Sequence, residues 1–532
     1  MSPSHSLDRS AIAVQAVFLV LVVVYTLHAL RFDFLIDDAY ITFRYARNLA
    51  DGHGLVFNAV GERVEGFSNL LWALLLALGM KLGVTPETLS RALGFAAGLA
   101  VLFLVRDATR RVLRDDPASR WLSLAPVAFL ALNRSFAAWT TGGLETRLHA
   151  LLVVLAAWLL DREVRRGEGP AISLVAIAAL VLVRVDGFVQ LVFLVVGWLM
   201  WNRGRPGRRG WFLVGTALAV LIGVSLFRAA YYGDPVPNTV HAKVAGPAIA
   251  SGLAYVGWAV RDYGLFLLLP LGLAAWRPRE SGPFVTLALV TVMGQMAYLI
   301  LVGGDHFEYR LLDPVWPLCA VLAVVGGRRL FLRVRGPAPR FAVASVAVLA
   351  LLWNGLPALA GFEDRRLTTS VETEAFLCLV WSRIGDWFGE HAAPDEVIAL
   401  RPVGVIPYRS RLPAFDMLGL NDRIVARRPP TPGQEIPGHR KLANWDDVLV
   451  RGRASYVLDE PDFRPERPAG RPAPPRVIEA ADRRFALIPV WVDLGDFWLR
   501  FEIVSEEAVT DQGVDPSLVN TWIRPKNTRT GS

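Results

Sequence analysis

The stretch AIAVQAVFLVLVVVYTLHALRFDFLIDDAYITFRYARN, Ala11 to Asn48, sets the terms for the whole chain. Its opening run, Ala11 to Leu30, is long enough to cross a bilayer, because a ~30 Å hydrocarbon core takes ~20 residues at ~1.5 Å rise each. About two helical turns later come adjacent carboxylates, Asp37 and Asp38, and then Arg44 and Arg47. Paired acids beside a membrane cost desolvation and mutual repulsion, so something must neutralise or use them. If Asp37 to Ala46 is helical, Asp37, Tyr40, Arg44 and Arg47 share one face, with Asp38, Ile41, Tyr45 and Asn48 on the next. An ordinary surface helix gives the same pattern, since acids at a helix start and arginines toward its end suit the macrodipole.

Composition points the same way. A chain of 532 residues, 53% hydrophobic, with mean hydropathy +0.39 and 17 Trp, carries more apolar sequence than one soluble core can bury. It reads as a polytopic α-helical membrane protein. The first apolar run is too long for a signal-peptide core and no small-residue cleavage site follows, so it is expected to be a retained span. Cys319 and Cys378 form no metal or disulfide framework. Of the 56 basic residues only Lys81, Lys243, Lys441 and Lys526 are lysines, a bias better explained by a GC-rich genome than by a binding surface. No nucleic-acid partner follows from it.

Applying the same length rule along the chain gives about eleven spans, at 11–30, 88–106, 120–138, 145–161, 170–185, 187–202, 211–229, 262–276, 283–303, 310–327 and 341–358. Arginines cluster in alternate loops, at Arg106–Arg120, Arg162–Arg166, Arg203–Arg209, Arg277–Arg279 and Arg328–Arg340, which places those loops and the N-terminus in the cytoplasm. The apolar segment Asn69 to Leu82 is too short to span, and counting it would put five arginines on the wrong side. It is expected to lie in the interface. Residues 31–87 then form a large outer loop, with 37–51 as a short surface helix.

Charge divides the chain. Residues 1–360 hold 33 basic and 22 acidic residues, whereas 361–532 hold 23 and 26 and contain no long apolar run. Strand-like stretches at Val397 to Leu400 and Arg484 to Val492, with a Pro/Arg-rich loop from Phe463 to Arg476, predict an extracytoplasmic α/β domain over 361–532, following a membrane domain over 1–360.

The remaining candidate residues lie at the outer ends of spans. Glu65 stands in VEGFSNLLW; Glu145 in TTGGLETR, where a glycine turn with a helix-starting acid is equally good; Arg184 and Asp186 in VRVDG, where a structural ion pair is. YYGDPVPNTVHAK supplies Asn238 and Lys243 on a loop stiffened by two prolines, and GGDHFEYR supplies Asp305, His306 and Arg310, with Asp313 just inside. A lone histidine such as His306 is more often a hydrogen-bonding residue than a ligand. Acids and cations gather at outer span ends while span middles are nearly free of charge. That layout suits an anionic, lipid-linked substrate, with arginine or lysine facing phosphate and a carboxylate facing a hydroxyl. A transporter more often shows ionisable groups near the midplane.

DDAYITFRYARN with GERVEGFSN, then TGGLE, VLVRVDG, YYGDPVPNT with HAK, and GGDHFEYR resemble, in that order, the GT-C superfamily of polyprenyl-phosphate-sugar-dependent glycosyltransferases. The nearest likeness is to the terminal β-arabinofuranosyltransferases of actinobacterial cell-wall arabinan. It covers about 1–330 well and the outer domain weakly. EGFSNLLW and the short outer domain look more like a broader bacterial group. The resemblance implies a GT-C-like membrane part bearing an acid on its first outer loop, in the plasma membrane. It implies Asp37 as general base, Asp38 orienting the acceptor or holding the loop, and Arg44, Arg47, Lys243 and Arg310 on phosphate, with Arg184 and Glu145 second choices.

The same likeness implies a polyprenyl-phosphate-linked sugar as donor, with arabinofuranose as the sugar, and a cell-envelope glycan as acceptor. Alternatives are transfer of mannose or another hexose to protein or lipid, a non-enzymatic lipid-linked sugar flippase, and a scaffold whose outer domain recruits other proteins. Asp37, Asp38 and Asp305 are oxygen donors suited to a divalent cation, but their spacing demands none, and the metal stays open.

Overall fold

The computed structural model describes residues 9–169, 171–205, 207–243, 246–277, 282–361, 365, 368–434, 436, 438–466, 474–510 and 513–514. The centre of the Pro/Arg-rich loop, 467–473, lies outside them, as does Arg279. The chain forms two compact units. One comprises Met1–Leu35, Asn69–Phe227 and Gly246–Thr373; the other comprises Ile36–Ser68, Arg228–Ala245 and Glu374–Ser532. This division by proximity is not the linear division at 360. The segment holding the acid pair, and the one holding Asn238 and Lys243, fold with the C-terminal residues.

The first unit is helical. Its opening helix, Arg9–Phe32, buries a single stripe of Val14, Phe18, Tyr25 and Ala29, while Val20, Val23 and Leu27 on its other sides stay exposed. A helix apolar all round but buried on one stripe is built to face lipid elsewhere. Pro86–Val112 shows how the local sequence fixes an end. Thr85 caps it by accepting from the Thr88 N–H, Pro86 stands where no donor is needed, and Arg110 and Arg111 close the last turn. Lipid gives helices little hydrophobic reason to associate, so close packing has to supply it. Gly98 answers that need: a Cβ there would stand 1.8 Å from the Tyr25 hydroxyl oxygen.

Among the described residues, six helices are long and apolar enough to cross a membrane: Arg9–Phe32, Pro86–Val112, Gly207–Tyr232, Pro283–Val302, Arg310–Arg333 and Pro337–Ala360. A seventh follows if Ile249–Asp262 and Leu265–Ala274, bent by 88° at their junction, count as one. The sequence count of eleven is therefore not reproduced among the described residues. Ile172–Val183 and Gly187–Trp201 have 12 and 15 residues, short of the ~20 needed for a perpendicular crossing, and the run expected at 120–138 is broken into Ser119–Leu122, Leu124–Leu132 and Arg134–Ala138. The segment at Asn69 to Leu82, expected to be too short to span, is a helix of 12 residues, Leu70–Lys81.

The second unit is built on a mixed six-stranded sheet. Its strands are β1 (Val397–Leu400), β2 (Ala414–Asp416), β3 (Ala454–Arg464), β4 (Arg476–Ala480), β5 (Arg483–Asp493) and β6 (Trp498–Ser505), in the order β2-β1-β3-β6-β5-β4. β1 runs parallel to β2 and β3, and the remaining pairs are antiparallel. Alternation along β6 buries Leu499, Phe501 and Ile503 on one face, where Phe388 of helix Val371–His391 packs with its ring 5.0 Å from Phe501 and 5.2 Å from Tyr456. The strands expected at Val397 to Leu400 and Arg484 to Val492 are β1 and β5.

Candidate active site

Seven of the twelve candidate residues fall in the second unit. Asp37 and Asp38 open helix Asp37–Ala50 as its first two residues. That helix is not the surface element expected: Ala39 through Ala46 and Asn48 are all buried. Polar residues tolerate this only where they are satisfied, and they are. Arg44, 4% exposed, donates from Nε to the Phe57 carbonyl at 2.7 Å, from Nη1 to Pro407 at 2.5 Å, and from Nη2 to Leu412 at 2.8 Å and Asn58 Oδ1 at 2.9 Å. With each guanidinium nitrogen so engaged, Arg44 is a brace within the fold rather than a cation held out for phosphate. Arg47 donates to the Tyr408 carbonyl at 2.7 Å and lies over the Tyr408 ring.

Asp37 is partly exposed, and its two carboxylate oxygens accept separate backbone N–H groups, Oδ1 from Val405 at 2.8 Å and Oδ2 from Gly404 at 3.0 Å. Burial drives its pKa up to about 7. The two N–H bonds pull it down and the neighbouring charge of Asp38 pushes it up. Lys243 Nζ stands 3.8 Å from Asp38 Oδ2, so the acid pair and the loop lysine are one group. Each Asp37 oxygen accepts one N–H and retains a second lone pair, enough to take a proton from a hydroxyl. Glu65 is buried against Arg228, Nε to Oε2 at 2.8 Å; burial raises its pKa against the pull of that arginine. Asn238 donates to the carbonyls of Gly419, Leu420 and Asp422 at 2.8, 2.9 and 3.2 Å, and its own N–H reaches the Glu65 carbonyl. Glu65 and Asn238 are thus held as framework.

The other five candidates fall in the first unit. Glu145, 1% exposed, accepts from Asn69 Nδ2 at 2.6 Å and from Arg184 Nη1 at 2.5 Å, while Arg184 grips Asp186 through Nε at 2.7 Å. The ion pair anticipated at Arg184 and Asp186 is formed and includes Glu145, which stands at a helix N-cap without a side-chain cap bond. Arg310 binds both oxygens of Asp305, at 2.8 and 3.2 Å, and lies over the Phe307 ring. His306 Nδ1 is 3.5 Å from Asp305 Oδ1 and its ring packs on Phe307.

The structure pairs several charged residues to which sequence reasoning assigned no site role. Arg134 binds Glu308 through two parallel contacts, 2.7 and 3.1 Å, and reaches Glu372 at 2.5 Å, with Arg134 and Glu308 each 1% exposed. Arg147 and Asp313 pair at 2.7 Å with neither side chain exposed. The signal for Arg134 was present, an arginine inside an apolar run, but nothing local links it to a partner 174 residues away. Gly404 and Val405 gave no signal at all, because their contribution is backbone. Among the described residues no group of three or more His, Cys, Asp or Glu is placed to hold a metal ion. Cys319 and Cys378 are free and buried.

The helical unit and the sheet-bearing unit define the class: this is a multi-pass membrane protein with the GT-C fold in its ArnT-like form. Its fold matches that of ArnT from Cupriavidus metallidurans bound to undecaprenyl phosphate, with a TM-score of 0.53 over 92% of this chain and 97% of that one at 13% identity. In sequence it is similar to the terminal β-(1→2)-arabinofuranosyltransferase of Mycobacterium tuberculosis, 29% identical over 54% of this chain and 52% of that protein. The enzyme of the same name from Corynebacterium glutamicum is 30% identical over 54% of this chain and 47% of its own length. The chain thus matches about half the length of these curated relatives. Residues 369–506 match a family profile described as "Domain of unknown function (DUF8728)".

Proposed function

We propose that this protein is an inverting membrane glycosyltransferase that moves a sugar, arabinofuranose, from a polyprenyl phosphate to a cell-envelope glycan on the outer face of the bacterial plasma membrane. The carrying observation is the acid pair with Lys243 beside it, the Asp37 carboxylate held in place by two N–H groups. The names of the two sequence relatives support the reaction and the sugar, and the lipid in the ArnT structure supports the donor class. In this reading the N-terminus and the arginine-rich loops are cytoplasmic, and the sheet-bearing domain is outside.

The step follows from the residues. Asp37 takes the proton of an acceptor hydroxyl; the hydroxyl oxygen forms a bond to the anomeric carbon from the face opposite the phosphate; the bond from that carbon to the phosphate oxygen breaks, and polyprenyl phosphate leaves with the electron pair. A base whose pKa lies near ambient pH is well matched to that transfer. Asp38 orients the acceptor, and Lys243 and Arg47 are the cations of the same unit offered to developing negative charge.

The test is transfer by purified protein from polyprenyl-phosphate arabinofuranose, with mannose and glucose donors in parallel. Product is expected from the arabinose donor, and Asp37→Ala should lose it by roughly 10²–10⁴-fold while staying folded in detergent. Full activity in Asp37→Ala would sink the mechanism. Product from a hexose donor alone would replace the sugar, and movement of labelled lipid across sealed vesicles without product would favour a flippase.

A further inference from the structure

Residues 369–506 match a domain without an assigned role, yet that part of the chain holds the acid helix in place. We infer that the C-terminal sheet domain supplies half of the acid site, with Gly404 as the positioning residue that lets two backbone N–H groups grip Asp37. The inference rests on the transferase reading for what the held acid does, and on geometry alone for the grip.

Three observations converge. The carboxylate is held at both oxygens, and the two donors are consecutive, the N–H of Gly404 and that of Val405, the first residue of helix Val405–Ser410. An N–H at a helix start has no partner of its own within the helix, so the acid satisfies a group that would otherwise be orphaned. Second, position 404 has no room for a side chain. A Cβ would stand 1.9 Å from the Asp37 carbonyl oxygen and 2.7 Å from its Cγ, and the first of these is backbone that cannot swing aside. With φ at −90°, the requirement for glycine here is one of space, not backbone conformation. Third, the helix bearing the donors is fastened to the helix bearing the acid. Arg44 reaches the carbonyls of Pro407 and Leu412, and Arg47 that of Tyr408, so the two elements move as one.

The consequence is a carboxylate whose direction is set by atoms more than 360 residues further along the chain. One donor on each oxygen fixes the plane of the carboxylate and leaves its remaining lone pairs in a set direction, which is what a general base needs to meet a hydroxyl. The same bonds favour the charged form of the acid.

Gly404→Ala tests the grip by pH. Displacing the donors removes bonds that favour the carboxylate, so the acid limb of kcat against pH should move up by about one unit, with donor KM changed less than about twofold. A purely structural defect lowers kcat evenly and leaves the limb in place. An independent arm needs no variant at 404: backbone hydrogen exchange at Gly404 and Val405 should quicken roughly tenfold in Asp37→Ala against the unsubstituted chain. Unchanged exchange at both amides overturns the inference whatever the enzymology shows, and so does an unshifted acid limb in folded Gly404→Ala. A chain that transfers no sugar from any lipid-phosphate donor refutes the transferase reading, while the exchange arm still decides the grip.

Discussion

Asp37 and Arg44 lie on the same face of one helix and end in opposite roles. The spacing could place them together but not say which would stay available, because the answer depends on carbonyl oxygens of Pro407 and Leu412 that approach from far along the chain. The acid pair, its helix and its lysine were legible; the identity of the brace was not. This separation gives a prediction: Arg44→Lys should destabilise the protein by about 2 kcal/mol, since one ammonium cannot serve four acceptors, while donor KM stays near its unsubstituted value. A large rise in KM at unchanged melting temperature would return Arg44 to the phosphate. For Asp37 the sign of the pH dependence follows from a raised pKa. Its carboxyl holds its proton up to about 7 in the fold and loses it near 4 when unfolded, so the folded state binds the extra proton between those values. Stability should therefore fall as pH rises from about 4 to 7, while the rate rises through the same upper limit as the base becomes ionised. Thermal melts and initial rates on one set of buffers would show both slopes, and parallel slopes would contradict the assignment.

At the scale of elements, the sequence located most of the long apolar helices, did not foresee Ile249–Asp262 or Val371–His391, and gave a span count that the helix lengths do not confirm. Hydropathy reports that Ile172–Val183 is apolar, but where the chain turns is set by tertiary partners, and a helix of 12 residues is the result. The same limit applies to the loop GGDHFEYR. Its acids and arginine were visible, yet the residue that ties it down, Glu308, was read only as part of the motif. Arg134 holds Glu308 from Arg134–Ala138, Trp139 donates from Nε1 to the Glu308 carbonyl at 2.7 Å, and Thr369 donates from its backbone N–H to the His306 carbonyl at 2.8 Å. A loop so pinned presents Asp305 and Arg310 in one arrangement. Glu308→Gln leaves Arg134 with a weakened partner in a buried site, where breaking an ion pair costs about 3–5 kcal/mol. The expected result is a marked loss of thermal stability, with the damage in Glu308→Gln and Arg134→Gln far from additive in a double-mutant cycle. Additive losses would mean the two residues act separately.

For the whole molecule, charge bias along the sequence placed the boundary at 360, and the fold instead gathers three separated stretches, Ile36–Ser68, Arg228–Ala245 and Glu374–Ser532, into one unit. Composition averages over neighbours in sequence and is blind to such interleaving. The orientation drawn from the arginines makes its own prediction at this scale. Val60, 89% exposed, and Arg114, whose side chain is 69% exposed, belong to opposite sides of the membrane in that topology. With each replaced by cysteine, a membrane-impermeant maleimide added to intact cells should label Val60→Cys alone, and label Arg114→Cys only after lysis; the reverse pattern inverts the topology. Cys319 and Cys378 are buried and should stay silent. The interleaving also dictates an order of events during synthesis. Asp37 leaves the ribosome 367 residues before Gly404 and 368 before Val405. At roughly 5–20 residues per second, the acid helix waits about 20–70 s for the strand of chain that will clasp it. Through that interval two carboxylates and two arginines wait for most of their final partners, and a chain cut short before residue 404 would carry the acid pair without the two N–H groups that hold Asp37.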